Sequence, residues 1–148
     1  MRDAVPLGEC GRALVVKLRH HGDVLLAAPV LSVLKAHAPR IEVDALVYDE
    51  TAPMLAGHPA LSQLHTVGRK WRALGVLKQL SMERGLLSQL KARRYDLLVH
   101  LTEHPRGAWL ARLLGVRYAV APIQPQRGRW WRNSFTHFYP LVRNRHQV

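Results

Sequence analysis

The sequence predicts an α/β domain, built as a Rossmann-like parallel sheet with helices on both faces. Short apolar runs rich in β-branched residues alternate along the chain with longer stretches whose apolar residues recur at helical spacing. The strand-like runs are nearly apolar throughout, as is typical of strands buried on both faces of a parallel sheet. Together these two features favour a doubly covered sheet.

The elements follow in order along the chain. Strands are predicted at 13–18, 43–48, 63–67, 96–101 and 118–121, and helices at 24–34, 53–56, 74–93 and 108–114. Pro29 lies inside the first helical pattern, so we expect a kink or a break there. Thr51 is a candidate cap for the second helix, and Gly115 ends the last one. From Ile123 onward the chain is rich in Arg, Trp and Pro, and no clear period is visible.

Composition indicates one globular domain, and its charge is compatible both with an anionic partner and with a basic isoelectric point that serves no specific ligand. The chain has 148 residues and a formal net charge of +12, and no acidic residue follows Glu103. Cys10 is the single cysteine and has no partner for an intramolecular disulfide, which is consistent with a reducing cytoplasm. No signal peptide is recognised, and the longest nearly apolar run, 24–34, is too short to cross a bilayer. Charge alone leaves nucleic acid, an anionic lipid surface and a phosphorylated substrate open.

The loop RHHGD, at 19–23, has the most specific chemistry in the sequence. Gly22 permits a tight turn and the close approach of a substrate to the backbone. Asp23 then stands where a carboxylate can take a proton from a sugar hydroxyl. The same residue is also well suited to cap the following helix, and caps are far commoner than catalytic bases. The residues alone leave both interpretations open.

Six segments in register carry a resemblance to a known family. They read VVKLRHHGDVLLAAPVLSVLKAHAP, VDALVYDETAPML, HPAL, RRYDLLVHLTE, ARLLGVRYAV and WWRNSFTHFYPL. This pattern resembles the ADP-heptose–lipopolysaccharide heptosyltransferases of glycosyltransferase family nine, and most of all their heptosyltransferase III members. The resemblance implies the N-terminal, acceptor-binding domain of a GT-B glycosyltransferase at 13–148, after an unmatched N-terminal extension at 1–12. The C-terminal donor domain is expected to be missing, because the final His-Gln-Val is similar to the start of the family's linker motif.

The resemblance implies an inverting transfer of heptose from ADP-heptose to the lipopolysaccharide inner core. Asp23 is then the catalytic base, no metal and no cofactor are required, and this half is expected to be inactive alone. The expected acceptor-binding residues are Arg19, His20, His21, Gly22, Arg69, Lys70, Arg72, Glu103, Arg129 and Arg132. Guanidinium groups suit the phosphates of the core, and Trp71, Trp130 and Trp131 are candidates for stacking on sugars or for a lipid interface. Taken singly, each charge is equally compatible with a solvated surface and each tryptophan with the core. We expect a cytoplasmic protein that associates peripherally with the inner membrane surface.

Two other interpretations remain. The charge and the interleaved tryptophans are compatible with a nucleic-acid-binding module, although no helix-turn-helix, RNP or zinc-finger pattern supports it and no nucleic-acid partner is expected. The second interpretation is a scaffold subunit whose donor domain lies on another chain. His100 and His104 have the spacing of a metal pair, but a strand precedes Pro105, so His100 is expected to be an ordinary strand-end residue.

Overall fold

The computed structural model describes residues 10–18, 27–68, 73, 75–101, 105–122 and 128–139. The elements are β1 (Arg12–Val16), α1 (Ala27–His37), β2 (Glu42–Tyr48), a 3-10 helix (Ala52–Met54), β3 (Leu61–Val67), α2 (Val76–Arg93), β4 (Leu97–His100), α3 (Pro105–Leu114), β5 (Tyr118–Pro122), α4 (Gly128–Ser134) and β6 (His137–Tyr139). Among these described helices, none is both long and apolar enough to cross a membrane.

The strands form one sheet in the order β3-β2-β1-β4-β5-β6, and every neighbouring pair is parallel. The chain therefore builds outward from β1 to β3, returns to the middle, and continues from β4 to β6 on the other side. This is the doubly wound arrangement that the alternation of strands and helices predicts, so the predicted α/β fold class is confirmed.

Helices cover both faces of the sheet because successive strand residues point to opposite sides. In β1, Ala13 and Val15 face the cluster that includes Leu31 of α1, whereas Leu14 and Val16 face the cluster that includes Leu90 of α2. The second cluster also receives apolar side chains from α3 and α4. A central strand that is buried on both sides is apolar where it is covered, as β1 is from Ala13 to Val16.

The core begins before the predicted domain boundary at residue 13. Cys10 is buried, and the amides of Gly11 and Arg12 both donate to the Asp96 carboxylate, at 2.7 Å and 3.3 Å. The Arg12 side chain pairs with Glu42 at 2.9 Å. These contacts fix the chain just ahead of β1, at the amino edge of the sheet.

The structure corrects three local expectations. Helix α1 is continuous across Pro29 from Ala27 to His37, so its described part has no break there. Residues 24–26 of the predicted helix lie outside the described residues. The Thr51 hydroxyl does not cap the 3-10 helix; it donates instead to the carbonyl of Tyr48 at 3.0 Å. The region after residue 123 contains α4 and β6, which the sequence analysis did not predict.

Candidate functional site

The carboxyl ends of β1 and β4 lie side by side at the centre of the sheet. Val16 is paired with His100, and the amide of Leu101 donates to the carbonyl of Val16 at 2.9 Å. From these two strands the chain proceeds to opposite sides of the sheet, which makes this the point where the strand order reverses. Ligands of doubly wound sheets bind in the crevice outside such a point.

Lys17 links the strand ends at this position. Its amide donates to the carbonyl of Leu46 in β2 at 3.0 Å, and its Nζ lies 3.4 Å from the carbonyl oxygen of Leu101 beyond β4. The side chain is half-buried. Lys17 therefore joins the ends of β2, β1 and β4.

Most of the predicted site residues lie outside the described residues. They are Arg19, His20, His21, Gly22, Asp23, Arg69, Lys70, Arg72 and Glu103. They belong to three segments that begin directly after Leu18, Gly68 and Leu101. These three residues lie just after the carboxyl ends of β1, β3 and β4. The chain thus enters all three segments from the same edge of the sheet. Trp71 and His104 also lie outside the described part.

Arg129 and Arg132 are described, and both are exposed on α4. Between them Trp131 is fully buried, with its ring centroid 5.8 Å from that of His100 and 4.9 Å from that of Phe135. Because His100 is the last residue of β4, this packing places α4 beside the strand end that leads to Glu103. Of the two interpretations left open for Trp131, the core aromatic is therefore confirmed, and contact with a sugar or a lipid interface is excluded. Its four-residue spacing to Phe135 was the available signal for a helix with a buried side.

His100 is a core residue, as the strand-end interpretation predicted. It is fully buried, stacks against Phe135 at a centroid distance of 6.0 Å, and faces Gly107 of α3. A β-carbon on residue 107 would overlap its ring, so only glycine allows α3 to approach β4 this closely. In the described part of the chain no three His, Cys, Asp or Glu side chains are grouped to hold a metal ion.

A polar cluster, separate from the candidate site, lies toward the amino ends of the strands. The buried Asp44 carboxylate accepts hydrogen bonds from Arg93 at 2.7 Å and 3.0 Å, from the Tyr95 hydroxyl at 2.5 Å and from the amide of Gln63 at 3.1 Å. His65 is in turn 3.0 Å from the Tyr95 hydroxyl. The Gln63 contact spans the register shift between β2 and β3 at Val43 and Asp44.

These contacts set the charges of the cluster. Burial raises the pKa of Asp44, but the His65 imidazole 3.6 Å away and the hydrogen bonds from Arg93 and Tyr95 together lower it well below its usual range. The hydrogen bond to Asp44 raises the pKa of Arg93, and burial followed by the hydrogen bond to Asp44 raises that of Tyr95. Such shifts are common at active sites, but Asp44 has no exposed surface for a substrate to reach. The cluster therefore holds the end of α2 to the sheet.

Comparison with known proteins gives relatives for both sequence and fold. Lipopolysaccharide heptosyltransferase 3 of Escherichia coli strain K12 is 34% identical over 125 residues, which are 84% of this chain and 36% of the relative. The chain thus spans about a third of the length of this relative. No protein-family model matches the chain.

Two solved structures share the fold. The family 9 glycosyl transferase of Veillonella parvula superposes with a TM-score of 0.75 and 22% identity, over 91% of this chain and 37% of that one. The E. coli heptosyltransferase WaaC, solved with ADP-2-deoxy-2-fluoro heptose, gives a TM-score of 0.70 and 22% identity, over 91% and 44%. At this identity the likeness concerns the fold, which in these family 9 proteins is GT-B.

Proposed function

We propose that this chain, which resembles the N-terminal portion of lipopolysaccharide heptosyltransferases over most of its length, is the acceptor-binding half of such an enzyme. The acceptor-binding domain covers the predicted residues 13–148 together with residues 10–12, which belong to its core, and a separate donor-binding half completes the active site. The complete enzyme transfers heptose from ADP-heptose to the lipopolysaccharide inner core with inversion at the anomeric carbon.

One observation carries this proposal. The 34% identity to a heptosyltransferase extends over 84% of the chain, far beyond a single motif. The topology adds independent support, because Asp23 and Glu103 follow in sequence on the two strands between which the strand order reverses.

In the proposed reaction Asp23 acts as the general base. Its carboxylate takes the proton of an acceptor hydroxyl, and the hydroxyl oxygen attacks the anomeric carbon of the heptose. A new glycosidic C–O bond forms on the face opposite to the bond that breaks, and ADP leaves with that bonding pair. The described part of α1 begins at Ala27, four residues after Asp23 in the sequence.

The acceptor is held by residues with complementary chemistry. Arg69, Lys70, Arg72, Arg129 and Arg132 bind phosphates of the inner core, since guanidinium groups pair with phosphate through two parallel hydrogen bonds. The other predicted contacts lie around the base and beyond β4: Arg19, His20, His21, Gly22 and Glu103, the last accepting a hydrogen bond from a sugar hydroxyl. The protein acts in the cytoplasm, on the inner membrane surface that carries its acceptor.

The proposal is tested by ADP release from ADP-heptose in the presence of heptose-terminated core lipopolysaccharide. The chain joined to a donor-binding half should turn over, whereas the 148-residue chain alone should not, because half a cleft cannot orient two substrates. Turnover by the chain alone would contradict the division into acceptor and donor halves. Absence of turnover in a folded, joined protein that binds both substrates would contradict the proposed reaction.

A further inference from the structure

Helix α2 begins with apolar side chains that the core does not use. Val76 is 73% exposed, Leu77 84% and Leu80 53%, and we call these three residues the apolar end of α2. The helix is anchored to the sheet only further along, through Leu86 and Leu90, which are buried. Adjacent exposed leucines and valine on one helix end form a patch of the kind that marks an interaction surface.

Exposed cationic side chains lie along α2, beside this patch and beyond it. Lys78, Arg84 and Lys91 are all exposed, and Arg84 follows Leu77 by seven residues and Leu80 by four, which places it on the same side of the helix. Glu83 is the one acidic residue of α2. The helix therefore presents apolar side chains and positive charge on one side.

We propose that the apolar end of α2 docks on an anionic lipid bilayer, with Leu77 and Leu80 entering the interface and Arg84 and Lys91 contacting headgroups. Long cationic side chains can lie along an apolar surface while their charged ends reach the headgroups. An anionic leaflet supplies the opposite charge, at about 1 kcal/mol for each cation near it. The inference rests on the proposed function for its setting, because a membrane-anchored acceptor requires the protein to work at the bilayer surface.

Other occupants fit this surface less well. A second copy of the same surface would bring like charges together around the patch, which is unfavourable. A nucleic acid would use the cations but would gain nothing from exposed leucines, since its affinity comes from phosphate contacts. An anionic bilayer uses both the apolar side chains and the cations, because it has negatively charged headgroups over an apolar interior.

The test is flotation of the 148-residue chain with vesicles of phosphatidylglycerol and phosphatidylcholine, and with phosphatidylcholine alone. Binding should require the anionic lipid and weaken with salt. The double substitution Leu77→Gln and Leu80→Gln keeps good helix formers and should lower the partition coefficient by about tenfold. Leu113→Gln on α3, where the leucine is 48% exposed, is the matched control and should change the coefficient by less than about twofold. The double substitution Arg84→Gln and Lys91→Gln should weaken binding to the vesicles that contain phosphatidylglycerol.

Four results would overturn the inference once circular dichroism shows that each variant is folded, and the first three concern vesicles and self-association. They are equal binding by the parent and the Leu77/Leu80 variant, no vesicle binding by the parent, and a parent dimer that the double variant abolishes. Tighter binding to duplex DNA, unaffected by the leucine changes, would also overturn it. The vesicles contain no lipopolysaccharide core. A chain that binds the vesicles but does not bind the core oligosaccharide would therefore count against the proposed function and not against this inference.

Discussion

Gly107 lies against the ring of His100 so closely that no side chain fits between them. This contact joins the first turn of α3 to the last residue of β4, and Trp131 and Phe135 pack on the same imidazole. One buried ring thus positions two helices around the strand end that precedes Glu103. This packing fixes the described end of β4, after which the candidate site residue Glu103 follows in sequence.

Gly107→Ala should therefore destabilise the domain, because a β-carbon must displace the imidazole or the helix. We expect a loss of about 2 kcal/mol, the usual size for overpacking a core. Gly85→Ala is the matched control: its β-carbon would meet nothing within 4 Å, and alanine is the better helix former, so the variant should gain about 0.5–1 kcal/mol. Urea denaturation measures both. Equal effects of the two substitutions would contradict the described contact.

The Asp44 cluster predicts a specific loss of stability in acid. The pKa of Asp44 is lowered in the folded state, so its contribution is fully present above the unfolded pKa of about 4 and is lost as the pH falls through the folded pKa. The free energy of unfolding should be nearly level from about pH 7 to 5 and fall below about pH 4. Asp44→Asn should reduce that slope and cost about 3 kcal/mol at pH 7, because it leaves the half-buried Arg93 without its main partner.

Asp49→Asn supplies the control for the acid effect. Asp49 is exposed in the turn after β2, so its replacement should leave the unfolding free energy at pH 7 within about 0.5 kcal/mol. Urea titrations between pH 3 and pH 7 distinguish the two variants. An unchanged acid slope in Asp44→Asn would mean that other carboxylates control the acid transition.

Much of the fold could be predicted from the sequence, because its central strands are apolar on both faces and are recognisable without their partners. β3 gave a weaker signal: it is an edge strand, and Ser62 and Gln63 are exposed. Helix α4 has seven residues, too few for a period to emerge from a segment rich in Arg and Trp. The Asp44 cluster was not foreseeable, since its partners His65, Arg93 and Tyr95 are far away in sequence and are brought together only by the sheet.

The candidate site was likewise predictable from the sequence only in part. The RHHGD loop stood out on its chemistry alone, and alternation of strands and helices predicted the parallel sheet, but only the structure gives the strand order that makes the ends of β1 and β4 neighbours. Trp131 stayed open between the core and a sugar or lipid contact, because the arginines around it in sequence do not show that it packs against His100. Local sequence shows which side chains are polar or apolar, but the packing of distant segments decides which of them are exposed.

The basic segment after β3 should bind phosphate. Replacing Arg69, Lys70 and Arg72 by Ala should weaken binding of phosphorylated core oligosaccharide, and added salt should weaken the parent's binding because exposed charges are screened over about 10 Å at 0.1 M. Arg40→Ala, an exposed arginine ahead of β2 at the opposite edge, is the control and should have little effect. Fluorescence titration measures both. Tighter, sequence-dependent binding of a nucleic acid than of the core would favour the nucleic-acid interpretation.

Asp23→Asn separates the two roles considered for the RHHGD loop. Asparagine caps helices about as well as aspartate but is not basic, so turnover of the joined enzyme should fall by about 10²–10⁴-fold while stability changes little. Asp49→Asn serves again as the control and should retain full turnover. Steady-state ADP release, with thermal unfolding in parallel, measures the effect. A folded Asp23→Asn enzyme of nearly full activity would show that the base is another residue.

The central claim, that this chain is the acceptor half, is tested most directly by calorimetric titration of the 148-residue chain with each substrate separately. Phosphorylated, heptose-terminated core oligosaccharide should bind to the chain, and binding should weaken in the variant lacking Arg69, Lys70 and Arg72. ADP-heptose should not bind, because the donor half is expected to supply its contacts. Saturable binding of ADP-heptose without binding of the core oligosaccharide would contradict the account.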